Sequence, residues 1–271
     1  MSVDLEDWYA LVSRRLHGRE APPSERVVVG TRRLLDLLDV HATKATFFVL
    51  GTVAETFPDL LREVVRRGHE IGTHGYAHRR LDTIDERTFR ADLRRSVAAI
   101  ETACGVRPRG HRAPEFTILR RTAWAFAILA EEGFLYDSSV FPIRHRRYGI
   151  PDAPRYPYRV STPAGDLMEL PLATLQVFGQ RLPTAGGGYL RFLPYLPIER
   201  ALRAANEAGQ PAIVYVHPYE FDPEPLVMDA TGLKARTFVA LQNAFRHRAA
   251  GRLGRLLTTF PFGPLRSIID A

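Results

Sequence analysis

One cysteine, Cys104, stands in the 271 residues, so no disulfide can form within the chain. It falls late in an apolar-periodic segment, where a small buried hydrophobe is its expected role. Lysine is nearly absent as well. It occurs only at Lys44 and Lys234, so the net charge of +7 is carried almost wholly by arginine. Long apolar runs are missing: Ala45 to Leu50 and Ala212 to Val216 are among the longest, far too short to span a bilayer, which excludes a transmembrane helix. The opening Met1-Ser2-Val3-Asp4 carries neither a charged nor an apolar leader, and a cytoplasmic location is expected. There is no internal repeat, no low-complexity linker and no aromatic-rich basic stripe. A nucleic-acid role would therefore rest on net charge alone and is not expected. The oligomeric state leaves no mark on the sequence.

What is present is an alternation of strand and helix signals. Ser2 to Tyr9 opens as a short strand ending in acids, and Ala10 to Ser24 reads as a polar loop. Glu25 to His41 has helical spacing, Ala45 to Leu50 is a strand, Pro58 to Arg67 a helix and Glu70 to Thr73 a strand. Asp85 to Cys104 is a long helix closed by Gly105. Gly110 to Pro114 is a strand end, Arg121 to Glu132 a helix, and Phe134 to Asp137 a strand. Ile143 to Pro163 reads as a long loop, Leu167 to Pro171 as a strand, and Gly186-Gly187-Gly188 as a flexible turn at which no helix starts. Ile198 to Ala208 is a helix and Ala212 to His217 a strand. Thr237 to Arg255 is helical and basic, and Phe260 to Pro264 a closing strand. This order predicts a parallel sheet of about seven strands with covering helices, in which functional side chains collect at the carboxyl ends of the strands. The whole of 1–271 is expected to form one domain, with a basic helical extension from about residue 230.

Asp4, His74, Arg112, Asp137 and His217 stand at such ends. His74 and His78 are four apart, so one helical turn would bring both imidazoles to one cation. Glu6 and Asp7 lie close behind Asp4, and so many carboxylates in one pocket are tolerable only around a cation or a proton. Two histidines and a carboxylate make a three-ligand centre that leaves room for water and substrate. A further acid can take a proton and a histidine across the pocket can give one, which is equipment for metal-assisted hydrolysis of an amide or ester.

Asp4 with Glu6/Asp7, Thr73-His74-Gly75-Tyr76-Ala77-His78, His111-Arg112-Ala113-Pro114, Tyr136-Asp137-Ser138-Ser139 and Val216-His217-Pro218-Tyr219-Glu220 resemble the five signature motifs of the polysaccharide deacetylases, the carbohydrate esterase family 4 or NodB-homology enzymes. The likeness runs nearly end to end and is nearest to the branch associated with exopolysaccharide and exosortase gene clusters. It implies an α/β fold, a distorted (β/α)7 barrel, and metal-dependent removal of N-acetyl groups from a carbohydrate. It implies a divalent metal, zinc before cobalt or nickel, and no organic cofactor. Asp4 matches the catalytic base, His74 and His78 match metal ligands, Arg112 the arginine that orients the base, His217 the general acid, and Asp137 the residue that tunes that acid. The family opens with adjacent aspartates. Here the pattern is Asp-x-Glu-Asp, so the carboxylate ligand is Glu6 or Asp7, with Asp7 preferred, and Asp4 could itself touch the metal. Val140-Phe141 stand where the family has a tryptophan, and Tyr219 replaces another. The allantoinase-like branch and a glycan-binding barrel without turnover are the alternatives.

Overall fold

The computed structural model describes residues 1–19 and 21–270. Its strands are β1 (Ser2–Leu5), β2 (Thr46–Val49), β3 (Glu70–Thr73), β4 (Gly110–His111), β5 (Tyr136–Asp137), β6 (Tyr158–Thr162), β7 (Gly165–Glu169), β8 (Thr174–Val177), β9 (Gln180–Pro183) and β10 (Tyr215–Val216). Its helices are α1 (Trp8–His17), α2 (Arg26–Val40), α3 (Gly51–Thr56), α4 (Pro58–Arg66), α5 (Glu86–Cys104), α6 (Trp124–Glu131), α7 (Gly187–Phe192), α8 (Tyr195–Glu207), α9 (Leu233–Asn243), α10 (Ala249–Thr259) and α11 (Arg266–Ile269).

The main sheet runs β10-β1-β2-β3-β4-β5-β7-β6, parallel except for β6, which pairs antiparallel with β7. Beyond β7 the chain forms a parallel bridge from Leu172 to Ile213, just ahead of β10. That bridge joins the two ends, so seven parallel strands close into a distorted (β/α)7 barrel, as the motifs implied. The closure is thin and rests on few hydrogen bonds, such as Ala173 N to Ile213 O at 2.9 Å. Outward-facing Val3, Leu5, Phe47, Val49 and Ile71 join Leu34, Leu35, Leu38, Leu60 and Leu61 from α2 and α4 in the largest apolar core. Such short strands hold because both faces are covered.

Several expectations fail locally. The segment read as a polar loop from Ala10 to Ser24 opens with α1. Asp7 caps its first turn by accepting from Ala10 N, and Gly18 ends it in the left-handed conformation. Trp8 and Val12 bury the inner face of α1 against Leu226. Within the expected loop 143–163 lies β6, and the hairpin β8–β9 was not foreseen. A helix, α7, does start at the glycine triplet. The basic helix expected over 237–255 is two helices, α9 and α10, broken at Phe245 with φ of 58°. Phe260 to Pro264 forms no strand.

One buried histidine makes the barrel acid-sensitive. His69 accepts from Ala45 N through Nδ1 at 3.1 Å and lies edge-on to Phe47. Burial, aided by Lys44, depresses its pKa from 6.5 to about 4. The unfolded chain thus takes up this proton first. The contribution of neutral His69 is complete above pH 6.5 and is lost as the pH falls towards 4. We expect about 2 kcal/mol of stability to disappear over that window, and the His69→Gln protein to show a shallower acid slope. Calorimetric melting temperatures measured from neutral to acid pH check this.

Candidate active site

Strand alternation decides which side chains enter the barrel. Asp4, Phe48 and Gly72 share one row of the ladder; Leu5, Val49, Thr73, His111, Asp137 and Glu169 share the next. The first row faces the lumen and the second faces the helices. Thr73 Oγ1 meets Ser96 Oγ on α5 at 2.7 Å, and the His111 ring lies edge-on to Phe89 and Phe134. Arg112, one residue beyond His111, turns inward and is fully buried. Its Nη1 donates to Asp4 Oδ1 and Ser2 Oγ, both at 2.7 Å, and its Nε and Nη2 donate to Ser138 O and Ser138 Oγ, both at 2.8 Å. The guanidinium carbon lies 4.3 Å from the Phe48 ring centre. Every donor that faces Asp4 is therefore fixed in direction, and the acid is left with one free oxygen edge towards the pocket.

Of the residues expected to hold a metal, His74 and His78 come together, and the acid beside them is Glu6 rather than Asp7. Glu6 Oε2 lies 3.0 Å from His78 Nε2 and 3.4 Å from His74 Nε2. Glu6, His74 and His78 are all buried, and their ligand atoms lie within 4.8 Å of one another. His74 Nδ1 bonds Arg112 O at 2.8 Å, which fixes the tautomer with a bare Nε2 aimed inward. Glu6 Oε2 has no hydrogen-bond partner despite its burial. Three lone-pair donors converging on one point, with an orphaned carboxylate oxygen among them, fit a divalent cation. Burial opposes ionisation of Glu6, but His78 and His74 outweigh it and hold the carboxyl well below the usual range. Asp7, the preferred ligand from sequence, is engaged elsewhere. Its Oδ2 accepts from Ala10 N and its Oδ1 from Ser24 Oγ, both at 2.8 Å, and burial raises its pKa. Both of its oxygens are committed to starting α1.

The two histidines do not sit on a helix. The chain from His74 to Arg80 is a turn in which Gly75 has φ of 76° and His78 φ of 54°. Gly75 takes that conformation freely, whereas His78 is strained in it. Arg14 of α1 holds the turn through the carbonyls of Ala77 and His78, the latter at 2.7 Å.

His217 follows β10 and points Nε2 at the same centre, 3.6 Å from Glu6 Oε1. Burial alone would lower its pKa, but Glu220, Glu6 and Asp4 raise it to about 9. The expected tuning by Asp137 is not found. Asp137 belongs to the outward row, where its Oδ1 bonds His111 Nδ1 at 2.6 Å and its oxygens accept from Ser139. Burial opposes its ionisation, His111 favours it, and the net shift is downward; its neighbour Glu169 is pushed well up by burial and by the Asp137 charge. A single step of the strand thus puts Asp137 on the wrong face for His217. The partner of His217 is Glu220, which the sequence reading quoted without giving it a role. Glu220 Oε1 lies 3.7 Å from His217 Nδ1 and Oε2 accepts from His217 N at 3.0 Å. Arg191 Nε stands 3.4 Å from the same Oε1. Gly187 makes room for it, since a Cβ there would lie 1.6 Å from Glu220 Oε2. The Pro at 218 followed by an acid at the third position of the turn was the available signal.

Asp4, Glu6, His74, His78 and His217 line one open cleft of about 770 Å³, with Trp8, Phe116, Tyr148, Tyr215 and Tyr219 on its walls. Among the described residues no helix is long and apolar enough to cross a membrane.

Residues 25–130 match the family model described as polysaccharide deacetylase, and residues 138–270 match a domain of unknown function (DUF3473). The chain is 38% identical over 114 residues to a peptidoglycan deacetylase-like protein of Gibberella zeae, covering 41% of this chain and 33% of that protein. It is 35% identical over 96 residues to a peptidoglycan-N-acetylglucosamine deacetylase of Bacillus cereus, covering 35% of each. The chain thus spans about a third of the length of these curated relatives. In overall fold it is similar to the crystal structure of a putative polysaccharide deacetylase from Mycobacterium smegmatis, with a TM-score of 0.62 and 24% identity over 99% of this chain and 88% of that one. Over residues 25–130, the chain is thus similar to the polysaccharide deacetylases.

Proposed function

We propose that this protein is a metal-dependent hydrolase that removes N-acetyl groups from an N-acetylated sugar or polysaccharide precursor. The observation that carries the proposal is the convergence of Glu6, His74 and His78 in one cleft with Asp4 and His217. Residues 1–271 act as one catalytic unit, α9 and α10 included, because Phe238 of α9 lines the same cleft as the histidines. Two imidazoles and a carboxylate suit zinc, with cobalt or nickel as substitutes. A cation held there supplies Lewis-acid activation of water and of the amide carbonyl.

The protein's own groups do the proton work. Asp4 Oδ2 accepts a proton from the attacking water, while Arg112 holds Oδ1 and keeps the carboxylate correctly turned. His217 Nε2 donates a proton to the departing amine nitrogen. Glu220 behind Nδ1 keeps the ring charged and oriented for that transfer. The aromatic walls exclude water and offer faces to a sugar ring.

Acetate release from an N-acetylglucosamine tetramer, measured with and without chelator, tests this. Release that chelator abolishes and added zinc restores is the expected result. A purified protein that holds no metal by elemental analysis and ignores added zinc would instead be a glycan-binding barrel without turnover.

A further inference from the structure

Some arginines away from the cleft meet several carboxylates at once: Arg67 meets Asp36, Asp39 and Glu63, and Arg90 and Arg94 meet Glu131 and Glu132. Around the cleft arginines gather in one place and outnumber their acids. Arg15, Arg79, Arg80 and Arg147 line its wall. A second hollow of about 310 Å³ shares Arg147 and Tyr148 with it and adds Arg120, Arg121 and Arg146. The two hollows therefore form one track leading out from the catalytic centre.

Besides Arg14, which is engaged by the Ala77 and His78 carbonyls, seven guanidinium groups on this track face three carboxylates. Glu115 serves both Arg80 and Arg147, Asp82 serves both Arg80 and Arg121, and Asp152 serves Arg120. Among the described residues, Arg15, Arg79 and Arg146 have no carboxylate partner within 4.0 Å. Arg15 lies instead over the Phe238 ring at 4.4 Å. The acids at the floor redress little of this, because Asp4 is paired with Arg112 and the single charge of Glu6 is directed at the metal-ligand centre. Crowding is also felt: burial and the neighbouring charges of Arg147 and Arg80 push the Arg15 guanidinium down from its ordinary pKa. At the junction of the hollows Tyr148 stacks on His145 at 3.9 Å and lies parallel to Phe141 at 6.0 Å.

We infer that the cleft takes an acetamido-glycan bearing negative charge, whose carboxylate or phosphate groups lie along the arginine track while an N-acetyl group enters the metal-ligand centre. The inference rests on the deacetylase reading for the second half of that statement only. The excess of about four positive charges along a groove is what a chain of spaced anions would neutralise, and unpaired guanidinium groups bind carboxylate and phosphate by parallel hydrogen bonds. A neutral glycan would leave them facing one another.

Calorimetric titration of the full chain separates the possibilities. The probes are neutral chitotetraose, a tetrasaccharide alternating glucuronate with N-acetylglucosamine, and N-acetylglucosamine 1-phosphate beside free N-acetylglucosamine. At low salt the uronate tetrasaccharide is expected to bind about tenfold more tightly than chitotetraose, the advantage shrinking at high salt. Arg15→Gln combined with Arg147→Gln should erase most of the preference, while Arg62→Gln on α4 should leave it intact. A larger gain for the 1-phosphate than for the uronate assigns the track to phosphate and supports the same chemistry. Equal binding of charged and neutral tetrasaccharides, or a preference that survives the double substitution, overturns the inference. So does displacement of the uronate tetrasaccharide by duplex DNA or anionic vesicles at equal charge concentration, which would make the track a general polyanion surface. Acetate release from the uronate tetrasaccharide and from chitotetraose is scored separately. Its absence beside selective, arginine-dependent binding removes the deacetylase reading and leaves the anion track standing.

Discussion

Glu6→Gln protein is expected to purify with little or no metal and to lose acetate release, whereas Asp7→Asn protein keeps both. The two acids are neighbours in sequence, yet only Glu6 presents an orphaned oxygen to the imidazoles of His74 and His78. An amide in place of the Glu6 carboxylate removes the one formal negative charge among the three ligands. Metal affinity should fall by more than the roughly 10–100-fold typical of groups that only support a ligand. Asparagine at position 7 still accepts from Ala10 N, because Asn caps a helix about as well as Asp, so stability should change by only a few tenths of a kcal/mol. Asp7→Ala should cost about 1 kcal/mol by loss of the cap, with metal content preserved. Metal stoichiometry by elemental analysis decides the matter. If Asp7 were the ligand, the two results would exchange places.

The second large effect concerns Arg112. Replacing it by methionine leaves the Asp4 carboxylate buried without its cation and strands the acceptors at Ser138 O and Ser2 Oγ. Breaking one side of a buried ion pair costs about 3–5 kcal/mol, far more than the pair contributes net. The melting temperature of a chain this size should fall by roughly 10 °C. Adding Asp4→Asn to Arg112→Met removes the uncompensated charge and should recover a large part of that loss while activity stays absent, so the two changes are strongly non-additive in stability. Asp4→Asn alone should retain metal and fold, and lose about 10²–10⁴-fold in turnover as a general base does when neutralised. Thermal melts of the four proteins of the cycle, with kcat on each, give both couplings. A double variant no more stable than Arg112→Met would mean that the arginine acts by packing on Phe48 and not by charge.

The same residue, Asp7, accounts for two failures of the sequence reading at once. The sequence reading prefers Asp7 as a ligand, gives it no capping role, and takes Ala10 to Ser24 as a polar loop. Treated as a cap, with Gly18 as the left-handed stop and Trp8, Leu11 and Val12 at helical spacing, it predicts α1 and leaves Glu6 as the only acid for the metal. Competing uses of one carboxylate are settled by which hydrogen bonds its two oxygens complete, and that depends on Ser24 arriving from 17 residues away. Asp137 failed for a different reason. Its place at a strand end was read correctly, but position along a strand does not say which face a side chain takes. One residue of register separates the lumen of Asp4 and Arg112 from the helix layer of His111, Asp137 and Glu169.

By itself the sequence determined the alternation of strands and helices, hence the parallel barrel, and the set of polar residues at its strand ends, because periodicity and chain order are local properties. It also carried the family likeness in His74, His78, Arg112 and His217. Only the tertiary structure decided that Glu6 faces the histidines, that Glu220 stands behind His217, and that the arginines of four separate segments share one groove. Those outcomes follow from sheet register, from close approach at Gly187 and from a turn held open by Arg14. Each depends on residues distant in the chain meeting at angles that no local pattern encodes.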